Sequence, residues 1–254
     1  MSIRTETRDR VLRVAFDRPE RRNAITADMY AALAEALDGA SRDPKVRAVL
    51  LHGSDTAFTA GNDVKDFLEN PPSPGDSPVF RFLRAISTIE KPLVAAVAGP
   101  AVGVGTTMLL HCDLVYAAEN ATLALPFAQL GICPEAASSL LLPLSAGWQR
   151  AAEKLMLGEP FGAQEAKEMG IVNRVLPAGE LMAFAEAQCA KLAALPPASL
   201  RMTKRLMRSG LSALVAARMQ EEGEAFTAML RQPEAREAFG AFLEKRRPDF
   251  SRFE

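Results

Sequence analysis

The stretch "PLVAAVAGPAVGVGTTMLLHC", from Pro92 to Cys112, contains no charged side chain. Its length would suit a membrane-spanning helix, which needs about 20 apolar residues. However, Pro100 and the three glycines around it interrupt any continuous helix. The first part is rich in Val and Ala, as is typical of a buried strand. The stretch therefore predicts a buried strand, a tight turn and a buried helix over Val104–His111, and it argues against a membrane span.

Strand and helix patterns alternate on both sides of this stretch. The run "VLRVAFD" (residues 11–17) alternates like a strand, while "VRAVLLHG" (46–53) and "DLVYAAE" (113–119) are mostly apolar. Between the first two, Thr26 can cap a helix that runs to about Ser41. "ENPPSPGDSP" (69–78) is rich in Pro, Gly and Ser and predicts a mobile surface loop. This alternation predicts a mixed α/β fold.

The last part of the chain has a different pattern. From about Leu181 onward it is nearly all helical, with breaks at prolines and a glycine. We therefore predict an α/β core over residues 1–195 and a helical region over residues 196–254.

The composition excludes several classes of protein. With 30 basic and 31 acidic residues the net charge is −1, so no basic field for nucleic acid and no polybasic membrane arm is evident. Three widely spaced cysteines and two histidines argue against a disulfide framework or a metal site. The polar start "MSIRTETRDR" does not resemble a signal peptide. We expect a cytoplasmic protein without a metal ion.

Common cofactor motifs are incomplete or missing. "GVG" at residues 103–105 has two glycines of a dinucleotide-binding motif but lacks the third. No G-x-x-x-x-G-K-[ST] and no G-x-S-x-G occurs. Cys133, beside an acid, could be a nucleophile, but a small apolar core residue is the simpler interpretation. We predict no redox cofactor.

Two glycine-rich turns remain as candidates for a reaction site. "FTAGND" (58–63) and "GPAVGVGT" (99–106) each follow a strand and begin a helix. Helix N-termini carry unpaired N–H groups, so two such turns side by side would direct two amides at one oxygen. Tight strand–helix turns that serve only the fold are the simpler interpretation on physical grounds alone.

A single carboxylate occupies an otherwise uncharged segment. Glu135, in "ALPFAQLGICPEAASSLLLP" (124–143), is the only charged residue between Glu119 and Arg150. Burial of an unpaired carboxylate is costly. Following Pro134, it could be an acid in the first turn of a helix, stabilised by the helix dipole. It could also be a base whose pKa is raised by its apolar surroundings.

Five motifs in order resemble the crotonases, the enoyl-CoA hydratase/isomerase superfamily, over almost the whole chain. They are "RPERRNAIT", "AFTAGNDVKDF", "KPLVAAVAGPAVGVGTTMLLHCDLVYAAENATLALPFAQLGICPE", "GEPFGAQEAKEMGIVNRVLP" and "AFLEKRRPDF". The resemblance implies a spiral of ββα units with C-terminal helices that pack in trimers, often paired into hexamers. It also implies that the substrate is an acyl-CoA thioester and that coenzyme A enters as part of it.

The resemblance also implies roles for particular residues. The thioester oxygen would lie between the backbone amides of Ala60 and Val104. Many relatives have glycine at the position of Val104, whose isopropyl group narrows the pocket. The coenzyme A adenine would lie near Arg22, Ala24, Ala60 and Asp63, and Lys245 is a candidate contact for phosphate. Solvent-exposed positions without a ligand would explain Arg22 and Lys245 equally well.

Departures from the family pattern bear on the reaction. Hydratases of this family use two glutamates, and those positions are Thr107 and Phe127 here. Glu135 instead resembles the single acid of the Δ3,Δ2-enoyl-CoA isomerases, especially the peroxisomal type. We therefore expect isomerisation of a 3-enoyl-CoA by one glutamate that removes a proton and returns it. Hydration by another arrangement, thioester hydrolysis and acyl-CoA binding without catalysis remain alternatives.

Overall fold

The computed structural model describes residues 2–71 and 75–253 of the chain. The predicted surface loop over residues 69–78 falls partly within these ranges, and its residues 72–74 lie outside them. None of the helices in the described ranges combines the length and the hydrophobicity that crossing a bilayer requires.

Strands and helices alternate along the first two thirds of the described chain. The strands are β1 (Ile3–Arg8), β2 (Val11–Phe16), β3 (Ala48–His52), β4 (Leu93–Val97), β5 (Pro100–Val102), β6 (Leu114–Ala118), β7 (Thr122–Ala124), β8 (Phe161–Gly162) and β9 (Arg174–Leu176). The helices are α1 (Ala27–Arg42), α2 (Val64–Glu69), α3 (Pro78–Thr88), α4 (Val104–Thr107), α5 (Ser138–Ala146), α6 (Trp148–Leu157), α7 (Ala163–Glu168), α8 (Leu181–Ala194), α9 (Pro197–Ser209), α10 (Ser212–Met229) and α11 (Pro233–Glu244).

The larger sheet has six strands in the order β1-β2-β3-β4-β6-β9. β1 pairs antiparallel with β2, and all the other pairs in this sheet are parallel. All five residues of β4, "LVAAV", are buried, as expected for a parallel strand that is covered on both faces. The predicted mixed α/β class and the buried strand after Pro92 are therefore confirmed.

The edge strand β1 was missed by the sequence analysis. Only Ile3 of "IRTETR" is buried, and the other five residues are exposed. One apolar residue gives no alternation for a pattern to reveal. The strand forms because its backbone pairs with the more apolar β2, and its polar side chains protect the edge of the sheet.

A second, three-stranded sheet in the order β5-β7-β8 follows directly on β4. β5 pairs parallel with β7, which places Val102 opposite Ala124. The amide of Gly103 then donates to the carbonyl of Ala124 at 2.9 Å and fixes the turn that begins α4. The predicted helix over 104–111 is present in two parts, because α4 ends at Thr107 and a 3₁₀ turn covers Met108–His111.

Helix α1 begins where its capping residue predicts. The Thr26 side chain accepts from the amide of Met29 at 3.4 Å, and the helix ends at Arg42, one residue past the predicted end. The helix packs on α3, where the rings of Tyr30 and Phe82 lie 5.5 Å apart between centroids.

The C-terminal helices are attached to the core by buried contacts. Lys204 of α9 donates to the carbonyl of Lys91 at 2.7 Å and to a carboxylate oxygen of Asp113 at 2.6 Å. Met219 and Phe226 of α10 line a cavity together with residues of the first half of the chain. The domain boundary near residue 195 stays a prediction, although the region beyond it contributes to the core.

Candidate active site

The two glycine-rich turns lie against each other. The amide of Thr59 donates to the carbonyl of Pro100 at 2.9 Å, and the amide of Val102 donates to the carbonyl of Thr59 at 3.0 Å. A Cβ on Gly105 would lie 2.6 Å from Cγ2 of Thr59, and one on Gly61, where φ is +85°, would lie 2.7 Å from the carbonyl oxygen of Val102. Side chains at these two glycines would separate the turns, so the sequence permits the close contact only with glycine.

The register of the first turn decides which of its amides is available. The amide of Ala60 donates to the carbonyl of Arg22 at 2.9 Å. This hydrogen bond contradicts the prediction that the Ala60 amide binds a thioester oxygen. An N–H group that points at the carbonyl oxygen of Arg22 cannot also point at a thioester oxygen.

The amide of Asn62 is available instead. Ile25 bonds to the residues on either side of Asn62, donating to Gly61 and accepting from Asp63. In a parallel bridge of this kind the residue between the two bonds directs its own amide away from its partner strand. In the part of the chain that the structure describes, the amides of Asn62 and Val104 have no acceptor. These two N–H groups are therefore the candidates for an oxyanion hole.

The Asn62 side chain is fixed by a buried tyrosine. The hydroxyl of Tyr30 donates to Oδ1 of Asn62. Tyr30 is 1% exposed, and burial, followed by the nearby Glu135 carboxyl, raises its pKa well above 10. Tyr30 is therefore a neutral donor that orients Asn62.

The loop that carries the predicted adenine contacts is held by Asn23, which the sequence analysis missed. Asn23 is fully buried, and its Nδ2 donates to the carbonyls of Ala57 at 2.9 Å and Phe58 at 3.1 Å. Its Oδ1 accepts the amide of Arg18 at 2.8 Å. Its φ of +59° is a conformation in which Asn is enriched, but the motif "RRNA" gives no indication of the long-range contacts.

The predicted coenzyme A contacts occupy two places in the structure. Arg22 is exposed and Ala24 is half-buried on the loop before α1. Asp63 caps α2 and forms an ion pair with Arg18 at 2.7 Å. Burial alone would raise the pKa of Asp63, but hydrogen bonds from Arg18 and from backbone amides lower it. Lys245 is exposed at the C-terminal end of α11 and makes no ion pair within the described residues.

Glu135 is buried in a cavity rather than exposed on a helix. It is 7% exposed, and Oε1 has no hydrogen-bond partner among the described residues. Burial, and then the negative charge of Glu222, raise the pKa of Glu135 to about 8, while the hydroxyl of Thr107 has a smaller opposing effect. The carboxyl group therefore gains a proton readily near neutral pH, as a general base requires.

The walls of this cavity are apolar. Its volume is about 20 Å³, which is room for about one water molecule, so an acyl chain must displace side chains to enter. Side chains from α2, α3 and α10 surround the carboxyl: Phe67, Val79, Phe80, Leu83, Met219 and Phe226. These apolar side chains exclude water from the Glu135 carboxyl, and this desolvation raises its pKa.

The backbone after Glu135 is strained. Ala136 and Ala137 have φ of +59° and +56°, a conformation that costs alanine about 1–2 kcal/mol for each residue. Nε2 of His111 lies 2.7 Å from the carbonyl of Ala136, and the amide of Ala137 donates to Oε2 of Glu222 at 2.6 Å. Burial lowers the pKa of His111 to about 4, so the ring is neutral and donates Nε2–H. Two buried side chains thus hold the turn that presents Glu135.

Other candidate chemistry is weakened by the structure. The Cys133 thiol lies 3.6 Å from the carbonyl of Glu222, and burial raises its pKa to about 11, so it is not a ready nucleophile. No group of three or more His, Cys, Asp or Glu side chains in the described ranges could hold a metal ion.

Comparison with known proteins identifies the family. Residues 6–252 match the model of the enoyl-CoA hydratase/isomerase family. The chain belongs to the enoyl-CoA hydratase/isomerase family. A 2,3-dehydroadipyl-CoA hydratase of Escherichia coli (strain K12) is 32% identical over 242 residues, which cover 95% of each chain.

The relatives of this family member include isomerases as well as hydratases. Enoyl-CoA delta isomerase 2 of Rattus norvegicus is 37% identical over 204 residues, 78% of this chain. The chain spans about half of that relative, since the match covers 52% of its length. The isomerase and the hydratase have similar sequence identity to this chain. Sequence identity alone therefore does not indicate which reaction the chain catalyses.

The fold agrees with solved structures of the family. The crystal structure of an enoyl-CoA hydratase/isomerase from Pseudoalteromonas atlantica T6c has a TM-score of 0.94 and 44% identity, with 98% of this chain and 100% of that chain covered. The predicted crotonase-like fold is confirmed. The family membership also supports an acyl-CoA as the substrate class.

Proposed function

We propose that this family member is a Δ3,Δ2-enoyl-CoA isomerase in which Glu135 is the only acid–base group. The observation that carries the proposal is the Glu135 carboxyl, buried in an apolar cavity, with an unpaired Oε1 and a pKa of about 8. A carboxylate in such a place is a stronger base than one in water.

Two backbone amides form the second part of the proposed site, the oxyanion hole. The N–H groups of Asn62 and Val104 face no protein acceptor in the described ranges and belong to turns in direct contact. We assign them to the thioester oxygen, where enolate charge develops. Loss of one such donor typically costs on the order of 10²–10³ in rate.

The reaction needs one proton carrier and no other reagent. Glu135 removes a proton from C2 of the 3-enoyl-CoA, and the electron pair of the C2–H bond enters a dienolate whose charge lies on the thioester oxygen. The carboxyl of Glu135 then gives the same proton to C4. The double bond now lies between C2 and C3, and Glu135 is again a carboxylate.

Hydration is the less favoured reaction for this site. Thr107 and Phe127 are both buried and stand where hydratases of the family have glutamates. A hydroxyl group and a phenyl ring cannot act as carboxylates to activate water at neutral pH.

The coenzyme A portion and the assembly complete the proposal. We assign Arg22, Ala24 and Asp63 to the adenine side and Lys245 to a phosphate of coenzyme A. We further propose a homotrimer or hexamer in the cytoplasm, with no metal ion or redox cofactor.

The experiment compares Glu135→Gln with the wild type on a 3-enoyl-CoA, followed by the absorbance of the conjugated 2-enoyl thioester. We expect the rate to fall at least about 10³-fold, since the carboxamide of glutamine cannot accept the C2 proton. Glu119→Gln, at an exposed position, is the matched control and should keep the full rate. A near-wild-type rate for Glu135→Gln would refute the role of Glu135. If 3-hydroxyacyl-CoA formed rapidly from a 2-enoyl-CoA, hydration would replace isomerisation, and binding without turnover would indicate a non-catalytic protein.

A further inference from the structure

Glu222 of α10 is a buried carboxylate that contacts the segment following the proposed base. It is 5% exposed, and its two oxygens accept three hydrogen bonds. The donors are the amide of Ala137 at 2.6 Å, the amide of Ser139 at 3.0 Å and the hydroxyl of Ser139 at 2.5 Å. The hydrogen bonds of Glu222 therefore go to the turn after Glu135 and not to a cation.

The residue types in the turn that Glu222 contacts do not favour the backbone conformation that they adopt. Ala136 and Ala137 are consecutive left-handed residues, and neither is a glycine. A strained backbone at a functional position persists only where its surroundings hold it. His111 holds Ala136 by a hydrogen bond to its carbonyl, and Glu222 holds Ala137 by accepting a hydrogen bond from its amide.

We propose that Glu222 is a positioning residue for Glu135: it holds the Ala136–Ala137 turn so that the Glu135 carboxyl stays in the cavity, and it places a negative charge beside that carboxyl. The consequence for turnover rests on the proposed function, whereas the effect on the Glu135 carboxyl itself does not.

Glu222 is the charged group that acts on Glu135 within the described residues. Three titratable groups of the described ranges lie near Glu135: Tyr30 from α1, Cys133 from its own loop and Glu222 from α10. His111 of the 3₁₀ turn contacts the carbonyl of the adjacent Ala136. Burial raises the pKa of Tyr30 and Cys133 and lowers that of His111, so these three are neutral at pH 7.

Of the two buried carboxyls, Glu222 has the hydrogen-bond donors that stabilise an ionised form. Burial leaves the pKa of Glu222 above its ordinary value, while hydrogen bonds from Ser139 and Ala137 and the charge of Arg218 oppose that shift and favour the ionised form. Among the residues that the structure describes, Oε1 of Glu135 has no such donor. A carboxylate at Glu222 therefore disfavours a second negative charge at Glu135 and keeps it basic.

The decisive variant is Glu222→Gln, which removes the charge and replaces one acceptor oxygen by an amide group. Carbon-13 NMR of carboxyl-labelled glutamate, assigned with Glu135→Gln, measures the Glu135 titration without any substrate. We expect its midpoint to fall by about one pH unit. Glu224→Gln, on the same helix at an exposed position, should leave the midpoint unchanged. An unchanged midpoint in Glu222→Gln would overturn the proposal.

Kinetics separate positioning from general destabilisation. In Glu222→Gln the plateau kcat should fall about tenfold, KM should change less than about twofold, and the acid limb of the pH–rate profile should move to lower pH. A purely structural defect would lower activity without moving the limb. If the wild type does not isomerise a 3-enoyl-CoA, the proposed function fails, and the NMR titration still decides the role of Glu222.

Two further variants test whether Glu222 holds the Ala136–Ala137 turn in place. Glycine adopts positive φ without strain, so Ala137→Gly in the Glu222→Gln background should recover at least about threefold in kcat but should leave the acid limb displaced. No recovery would contradict the role of Glu222 in holding the turn. If Glu222→Gln does not fold, Ser139→Ala removes one donor to Glu222, and we expect a loss of about threefold in kcat at unchanged KM. An unaltered kcat would then overturn the proposal.

Discussion

The amide of Ala137 donates to Oε2 of Glu222 at 2.6 Å, although the two residues are 85 positions apart in the chain. Through this contact a C-terminal helix reaches the turn that carries Glu135. The region after residue 195, for which the family resemblance implies a role in assembly, therefore also belongs to the environment of the proposed active site.

The pKa of Glu135 predicts a pH-dependent stability difference between the wild type and Glu135→Gln. The carboxyl has a pKa of about 8 in the folded state, against an ordinary value of 4.5. Between these values the folded protein holds a proton that the unfolded chain has lost, so the contribution of Glu135 to wild-type stability falls as pH rises. The slope approaches about 1.4 kcal/mol for each pH unit.

Glu135→Gln lacks this titration. In thermal denaturation its Tm, relative to the wild type, should therefore increase from pH 5 to pH 8 and level off above pH 8. Glu119→Gln should follow the wild type at every pH. Parallel Tm curves for wild type and Glu135→Gln would show that the Glu135 pKa is not raised.

Asn23→Ala should weaken both the fold and the oxyanion site. The substitution removes hydrogen bonds to Ala57 and Phe58. The carbonyl of Ala57 keeps the amide of Ser54 as a donor, but the buried carbonyl of Phe58 is left without a partner among the described residues, at a cost of about 1–3 kcal/mol. The turn that carries the Asn62 amide then loses its anchor, so kcat should fall as well. Urea denaturation and isomerase kinetics measure the two effects.

The matched control for this prediction is Asn70→Ala, because within residues 2–71 and 75–253 the Asn70 side chain makes a single, exposed hydrogen bond, to Oδ1 of Asp66. It should change the free energy of unfolding by less than about 0.5 kcal/mol. If Asn23→Ala is no less stable than this control, the buried network does not hold the turn.

Lys245→Ala tests the assignment of a phosphate contact. We expect KM for a 3-enoyl-CoA to rise about three- to tenfold with little change in kcat, since the contact is remote from the reacting carbons. The corresponding pantetheine thioester, which lacks the nucleotide, should show no such difference. Lys167→Ala, at another exposed lysine, serves as the control. Equal KM values for wild type and Lys245→Ala would remove Lys245 from the site.

The sequence predicts the central strands and the lone acid because both depend on local pattern. β4 is apolar at each position, and Glu135 is the only charge in a long uncharged segment. In contrast, β1 has one buried residue, and its existence depends on pairing with β2. A polar edge strand lacks the alternation of apolar and polar residues by which a strand is predicted from sequence.

One wrong assignment and one omission at the site have a common physical origin. The choice of Ala60 over Asn62 fails because the pairing with Ile25 and Arg22, and not the motif itself, decides which amides are free. Glu222 stands in the helical run "MQEEGEAF" beside other glutamates, and only the packing of α10 shows that it faces inward. Long-range contacts determine both features, so a local motif cannot reveal them.

Isotope transfer within a single turnover tests the one-glutamate shuttle most directly. A 3-enoyl-CoA deuterated at C2 is converted in ordinary water, and the deuterium content at C4 of the 2-enoyl-CoA is measured by NMR. Because Glu135 is 7% exposed and enclosed by apolar side chains, its proton should exchange slowly with solvent, and we predict that a substantial share of the deuterium appears at C4. Complete replacement by solvent hydrogen at C4 from the first turnover would contradict proton transfer by a single buried carboxyl.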